Sequence, residues 1–92
     1  MVIYPAADDR TPVFDYRPEV IEALARHGLR PRARTNPQQV RDYLNDIYRY
    51  ELRGLRDRML SGEFPKRDLA KRVIEVRRRY ALLSLPLREW TK

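Results

Sequence analysis

The residues that could take part in catalysis are few and widely spaced. His27 is the only histidine and the sequence contains no cysteine, so the side chains that most often bind zinc are nearly absent. Asp42 and Asp46 are four residues apart, a spacing that places both carboxylates on one face of a helix. A divalent cation would need further acids or a histidine beside them. We therefore predict no metal site, and we expect His27 to lie at a helix end.

Nucleophilic catalysis would require a hydroxyl or thiol beside a base. The hydroxyl-bearing residues fall in predicted loops or at predicted helix ends, where capping of backbone groups accounts for them. They are Thr11, Thr35, Ser61, Ser84 and Thr91. The three glycines are scattered and form no phosphate-binding loop. We therefore expect neither an enzyme nor a bound cofactor.

The chain carries a net charge of +7, and residues 63–92 hold most of the excess, with nine Lys or Arg against four acids. Basic residues clustered in this way can contact the phosphate groups of nucleic acid. The candidate residues for nucleic-acid binding are Arg30, Arg32, Arg34, Arg72, Arg78 and Arg79. The alternative is that these arginines belong to solvated helix faces without a ligand.

The pattern of apolar residues predicts an all-α fold in a single domain of residues 1–92. Pro18 suits the first position of a short helix of about residues 18–27. Asn36 can cap, and Pro37 can begin, a second helix of about residues 37–60, whose apolar residues recur at helical spacing.

A third helix of about residues 66–84 has an apolar seam spaced by three and four residues. The link between the second and third helices is short, so the two helices are expected to form an antiparallel hairpin. In that register Glu51 lies opposite Arg77, and we predict an ion pair between them, with Arg58, two turns along the same face of the second helix, as the other possible partner of Glu51.

The terminal segments are predicted to be extended arms, residues 1–17 and residues 85–92. They contain apolar residues that the hairpin alone does not cover: Val2, Ile3, Val13, Phe14, Leu85, Leu87 and Trp90. Either the arms fold back on their own hairpin or they cross to a partner chain. The second possibility predicts a homodimer, or a small subunit of a protein complex, with two hairpins packed as a four-helix bundle.

The first residues lack both a basic region and a long apolar run, so no secretory signal peptide is expected. No apolar stretch approaches the roughly 20 residues that span a bilayer. With no cysteine in the sequence, a cytoplasmic protein is the expectation. The sequence thus indicates a helical module for protein interaction, with nucleic-acid binding as the alternative.

Overall fold

The computed structural model describes residues 12–92, and the fold of this part of the chain is all-α, as predicted. The α-helices are α1 (Pro18–Ala25), α2 (Pro37–Leu60) and α3 (Leu69–Arg79). Single 3-10 turns occur at Lys66–Asp68, Ala81–Ser84 and Leu87–Glu89. Within residues 12–92 no helix is both long enough and apolar enough to cross a lipid bilayer.

The long helix α2 begins and ends where the sequence predicts. The Asn36 side chain accepts a hydrogen bond from the Gln38 N–H at 2.9 Å, and Pro37 occupies the first turn. At the other end, Gly62 adopts φ 87°, a conformation that glycine takes without strain. The 24 residues of α2 make a rod of about 36 Å. This rod spans most of the length of a molecule that measures 52 × 22 × 17 Å.

Helix α1 ends at Ala25, two residues before the predicted end. Gly28 has φ 76°, and the Leu29 N–H donates to the Leu24 carbonyl at 3.0 Å. This bond closes the last turn of the helix in the manner of a glycine stop. It also turns the chain inward, so that Leu29 is buried in the core.

The prediction of one continuous third helix over residues 66–84 was wrong. The α-helical part ends at Arg79, and Tyr80 takes φ −110° and ψ 30° before a 3-10 turn. In a longer α-helix the Leu83 N–H would donate to the Arg79 carbonyl. Here the Leu83 N–H donates to the Tyr80 carbonyl at 3.0 Å, and His27 Nε2–H donates to the Arg79 carbonyl at 2.9 Å. A side chain from the end of α1 thus occupies the acceptor that a continuing helix would use.

The contacts between α2 and α3 run in antiparallel order. Near the link, the guanidinium groups of Arg58 and Arg72 lie 5.9 Å and 4.2 Å from the centre of the Phe64 ring. Further from the link, the rings of Tyr48 and Tyr80 are 5.1 Å apart. The two helices therefore pair as a hairpin.

The two terminal segments pair with each other. Tyr16 and Thr91 form an isolated antiparallel bridge. The Arg17 N–H donates to the Trp90 carbonyl at 2.9 Å, and the Lys92 N–H donates to the Asp15 carbonyl at 2.9 Å. The Trp90 side chain is 0% exposed. The segment of residues 85–92 is therefore a folded part of the core rather than an extended tail.

Most of the apolar arm residues that suggested a dimer pack on their own chain. Trp90 is buried, and Phe14, Leu85 and Leu87 are partly buried against the core. Val13 stays exposed, while Val2 and Ile3 lie outside the described residues. Residues 12–17 and 85–92 therefore fold back on their own hairpin, which is the first of the two alternatives for the arms.

Candidate interaction surfaces

The junction between α1 and the hairpin is built around His27 and Tyr80. The two rings stack with their centres 4.4 Å apart and an angle of 29° between their planes. The His27 ring is thus held on its face by Tyr80 and at its edge by the Arg79 carbonyl. The sequence placed His27 at a helix end but gave no sign of these partners, which lie far along the chain. These contacts give His27 a structural role, the attachment of α1 to the end of α3.

Burial raises the pKa of Tyr80 to about 12, and the nearby negative charge of Glu51 and its hydrogen bond to the phenol act in the same direction. Arg79 opposes them, because its positive charge favours the phenolate. The neutral phenol is therefore the form that the folded protein stabilises.

We expect the protein to lose stability as the pH rises from about 10 towards 12, by about 2–3 kcal/mol from Tyr80. The folded-state pKa lies above the unfolded value of 10.0, so the unfolded chain releases the phenolic proton first. The Tyr80 contribution is thus complete below the unfolded pKa and disappears as the pH passes through the folded pKa. Tyr80→Phe should remove this part of the pH dependence in urea denaturation. Tyr50→Phe, at an exposed position, is the control; matching pH profiles for Tyr80→Phe and the unmodified protein would contradict the prediction.

The ion pair of Glu51 involves Arg79, not the predicted Arg77. Arg79 Nη2 lies 3.2 Å from Glu51 Oε2. Arg77 follows the buried residue Val76 by one position, so it lies on the opposite flank of the α3 seam from Arg79. The antiparallel pairing was predicted correctly, but the sequence did not show which flank of α3 faces Glu51.

The Glu51–Arg79 pair should contribute under about 1 kcal/mol to folding. Its side chains are 34% and 61% exposed, so water screens much of the attraction. A double-mutant cycle with Glu51→Gln and Arg79→Gln, followed by chemical denaturation, measures the coupling. A coupling energy well above this limit would show that the pair is desolvated.

A cleft of 520 Å³ opens where α1, α2 and α3 meet. Its lining residues are Arg26, His27, Ile47, Glu51, Arg78, Arg79 and Tyr80. Arg26 pairs with Glu22 at 3.2 Å, and Arg79 pairs with Glu51. Among the cleft's arginines only Arg78 has no ion pair with a described residue. Most of the charge in the cleft is thus already balanced by neighbouring side chains.

The six arginines proposed for nucleic-acid binding do not form one compact patch. Arg78 and Arg79 line the cleft, whereas Arg72 lies over the Phe64 ring near the hairpin link. Arg30, Arg32 and Arg34 belong to the loop before α2. Arg72 approaches the same ring as Arg58, and Arg58 is 22 residues beyond Asn36, about 33 Å along the helix. The structure therefore separates Arg72 from the start of α2 by most of the length of the molecule.

Burial is unequal along the hairpin. Near the start of α2, Val40 and Leu44 are fully buried, and the 3-10 turns Ala81–Ser84 and Leu87–Glu89 contact this helix. The half nearer the link is termed the distal hairpin (residues 52–74), and within residues 12–92 no third helix packs over it. Leu55 and Phe64 are buried in this half, but its other seam residues Leu52, Met59, Leu69 and Val73 are only partly buried, and Ile74 is exposed. This difference in cover was not predicted, because the sequence could not show where the arms pack.

Within residues 12–92 no group of three or more His, Cys, Asp or Glu side chains is arranged to hold a metal ion. Comparison of the chain with protein-family models, with curated proteins and with solved structures gave no match. Any functional conclusion therefore depends on the surfaces described above.

Proposed function

We propose that the protein is a helical interaction module, and that the distal hairpin binds an amphipathic helix of another protein. The observation that supports this proposal is the unequal burial of the hairpin. Four seam residues that would form a core in a thicker bundle keep part of their surface in water.

The apolar side chains of the distal hairpin would contribute favourably to the binding of a partner helix. Full burial of a large aliphatic side chain contributes about 1.5–3 kcal/mol. Leu52, Met59, Leu69 and Val73 are already partly buried, so each offers on the order of 1 kcal/mol to a partner helix. A helix laid along the seam would complete a three-helix arrangement.

Self-association is the other form that a protein interaction could take here. The arms were the main reason to expect a homodimer, and the described parts of both arms pack within one chain. A second copy could still use the distal hairpin. Sedimentation at rising concentration tests this possibility, since a homodimer would have twice the mass of the 11.1 kDa chain.

Nucleic-acid binding has weaker support. Arg79 is paired with Glu51, and Arg72 is occupied by its contact with the Phe64 ring. A phosphate that bound either guanidinium would compete with an existing contact.

The test uses a synthetic amphipathic helix with leucines at three- and four-residue spacing and alanine or glutamine elsewhere. Titration of this peptide into the ¹⁵N-labelled protein should shift the amide resonances of the distal hairpin. Ile74→Asp should abolish the shifts, while Ile21→Asp should leave them unchanged. Ile21 is a matched control, because 47% of its surface is exposed, compared with 48% for Ile74. Absence of shifts, or equal loss with both variants, would refute the proposal.

A further inference from the structure

The two flanks of the α2–α3 hairpin differ in charge, and helix geometry identifies them. Glu51 and Arg58 lie two turns apart on one flank of the α2 seam, and Arg79 contacts Glu51 from α3. Leu52 follows Glu51, and Met59 follows Arg58. One residue is a rotation of about 100° round the helix, so both apolar side chains lie on the other flank of the seam.

The flank that contains Glu51 is balanced by its own contacts. Arg79 binds Glu51 at 3.2 Å and Arg58 binds Glu63 at 2.6 Å. Arg72 covers the Phe64 ring. Most of the charges on this side therefore already have partners within the chain.

The charged residues nearest to the seam on the opposite flank are arginines. Arg56 follows the buried residue Leu55, Arg49 lies two turns before it, and Arg53 lies one turn from Arg49 towards the outside of α2. On α3, Arg77 follows the buried Val76 in the same way. We call this surface the basic face; its members are Arg49, Arg53, Arg56 and Arg77 around the apolar residues Leu52, Met59, Val73 and Ile74.

The arginines of the basic face are exposed and have no ion pair with any described residue. The acids nearest to them in sequence, Asp46 and Asp57, lie on the outer side of α2, and of the four arginines only Arg53, at the edge of the basic face, shares that side. A row of unpaired guanidinium groups beside an apolar seam is complementary to carboxylates beside an apolar stripe.

We infer that the partner of the basic face is an acidic amphipathic helix, with Asp or Glu residues bordering its apolar stripe at three- and four-residue spacing. This inference rests on the proposed function. A second copy of the chain fits less well, because it would bring four arginines against four others. Nucleic acid also fits less well, because phosphates would lie against partly exposed leucine, methionine and valine side chains that they cannot cover.

The experiment compares three peptides with the same leucine stripe, bordered by glutamate, glutamine or lysine. The glutamate peptide should bind about tenfold more tightly than the glutamine peptide, a difference that corresponds to a few surface ion pairs. The lysine peptide should bind least tightly. Raising the salt concentration should reduce the advantage of the glutamate peptide and leave binding of the glutamine peptide nearly unchanged.

Charge reversal locates the effect. The triple variant Arg49→Glu, Arg53→Glu and Arg56→Glu should reverse the preference, so that the lysine peptide binds best. The control variant Arg30→Glu, Arg32→Glu and Arg88→Glu makes the same change in net charge at exposed positions away from this face, and it should keep the original preference. If the reversed variant loses helical circular dichroism, the three Arg→Gln substitutions replace it and should abolish the preference.

The outcomes separate this inference from the proposed function. If the glutamine peptide binds the distal hairpin and flanking charge makes no difference, the inference is wrong and the interaction module stands. If no peptide binds, both are wrong. A single-stranded RNA that binds more tightly than the glutamate peptide, and loses that affinity in the triple variant, would overturn the acidic helix in favour of nucleic acid.

Discussion

Trp90→Ala should lower the free energy of unfolding by about 3–5 kcal/mol, the usual effect of removing a large aromatic side chain from a core. Trp90 is fully buried, and its backbone carbonyl accepts the Arg17 N–H. It therefore lies where the first and last described segments meet, and its removal leaves a cavity under both.

Urea denaturation followed by circular dichroism measures this effect, since Trp90 is the only tryptophan and the variant loses that fluorescence. Arg88→Ala, two residues away and exposed, should change stability by less than about 0.5 kcal/mol. Trp90→Phe should cost less than Trp90→Ala, because the phenyl ring fills part of the space that the indole leaves, and the indole N–H has no hydrogen-bond partner among the described residues. If Trp90→Ala proves as mild as Arg88→Ala, the terminal segments are not part of the core.

Local signals were sufficient to predict α2. Its cap, its first proline and the glycine after its end all act within a few residues of the helix boundary, and such short-range effects can be read from sequence. The same holds for Gly28, which stops α1 although the helix proper ends slightly earlier.

Long-range contacts account for what the sequence could not predict. The end of α3 depends on a hydrogen bond from His27 to the Arg79 carbonyl, and no pattern within residues 66–84 contains that information. The burial of Trp90 depends likewise on the bridge between Tyr16 and Thr91. The basic face was not predicted either, although its arginines are visible in the sequence, because its definition needs the flank on which Arg79 meets Glu51.

The second large effect is expected for Leu55→Ala, at about 2–5 kcal/mol. Leu55 is 6% exposed. It is the only residue of α2 within the distal hairpin whose side chain is buried. Among residues 12–92 the surrounding seam is only two helices thick, so no third helix of this part of the chain can relax into the space that the side chain leaves. Arg56→Ala, at the next position and exposed, should stay within about 0.5 kcal/mol.

Chemical denaturation and hydrogen exchange together test this prediction and its connection with binding. Leu55→Ala should speed amide exchange in the distal hairpin more than near Val40 and Leu44, because the distal half has fewer buried contacts to hold it closed. Equal destabilisation by Leu55→Ala and Arg56→Ala would contradict the seam. Since Arg56 belongs to the basic face, Arg56→Ala should instead weaken the glutamate peptide while leaving folding intact. Leu55→Ala would then affect the stability of the hairpin, whereas Arg56→Ala would affect the choice of binding partner.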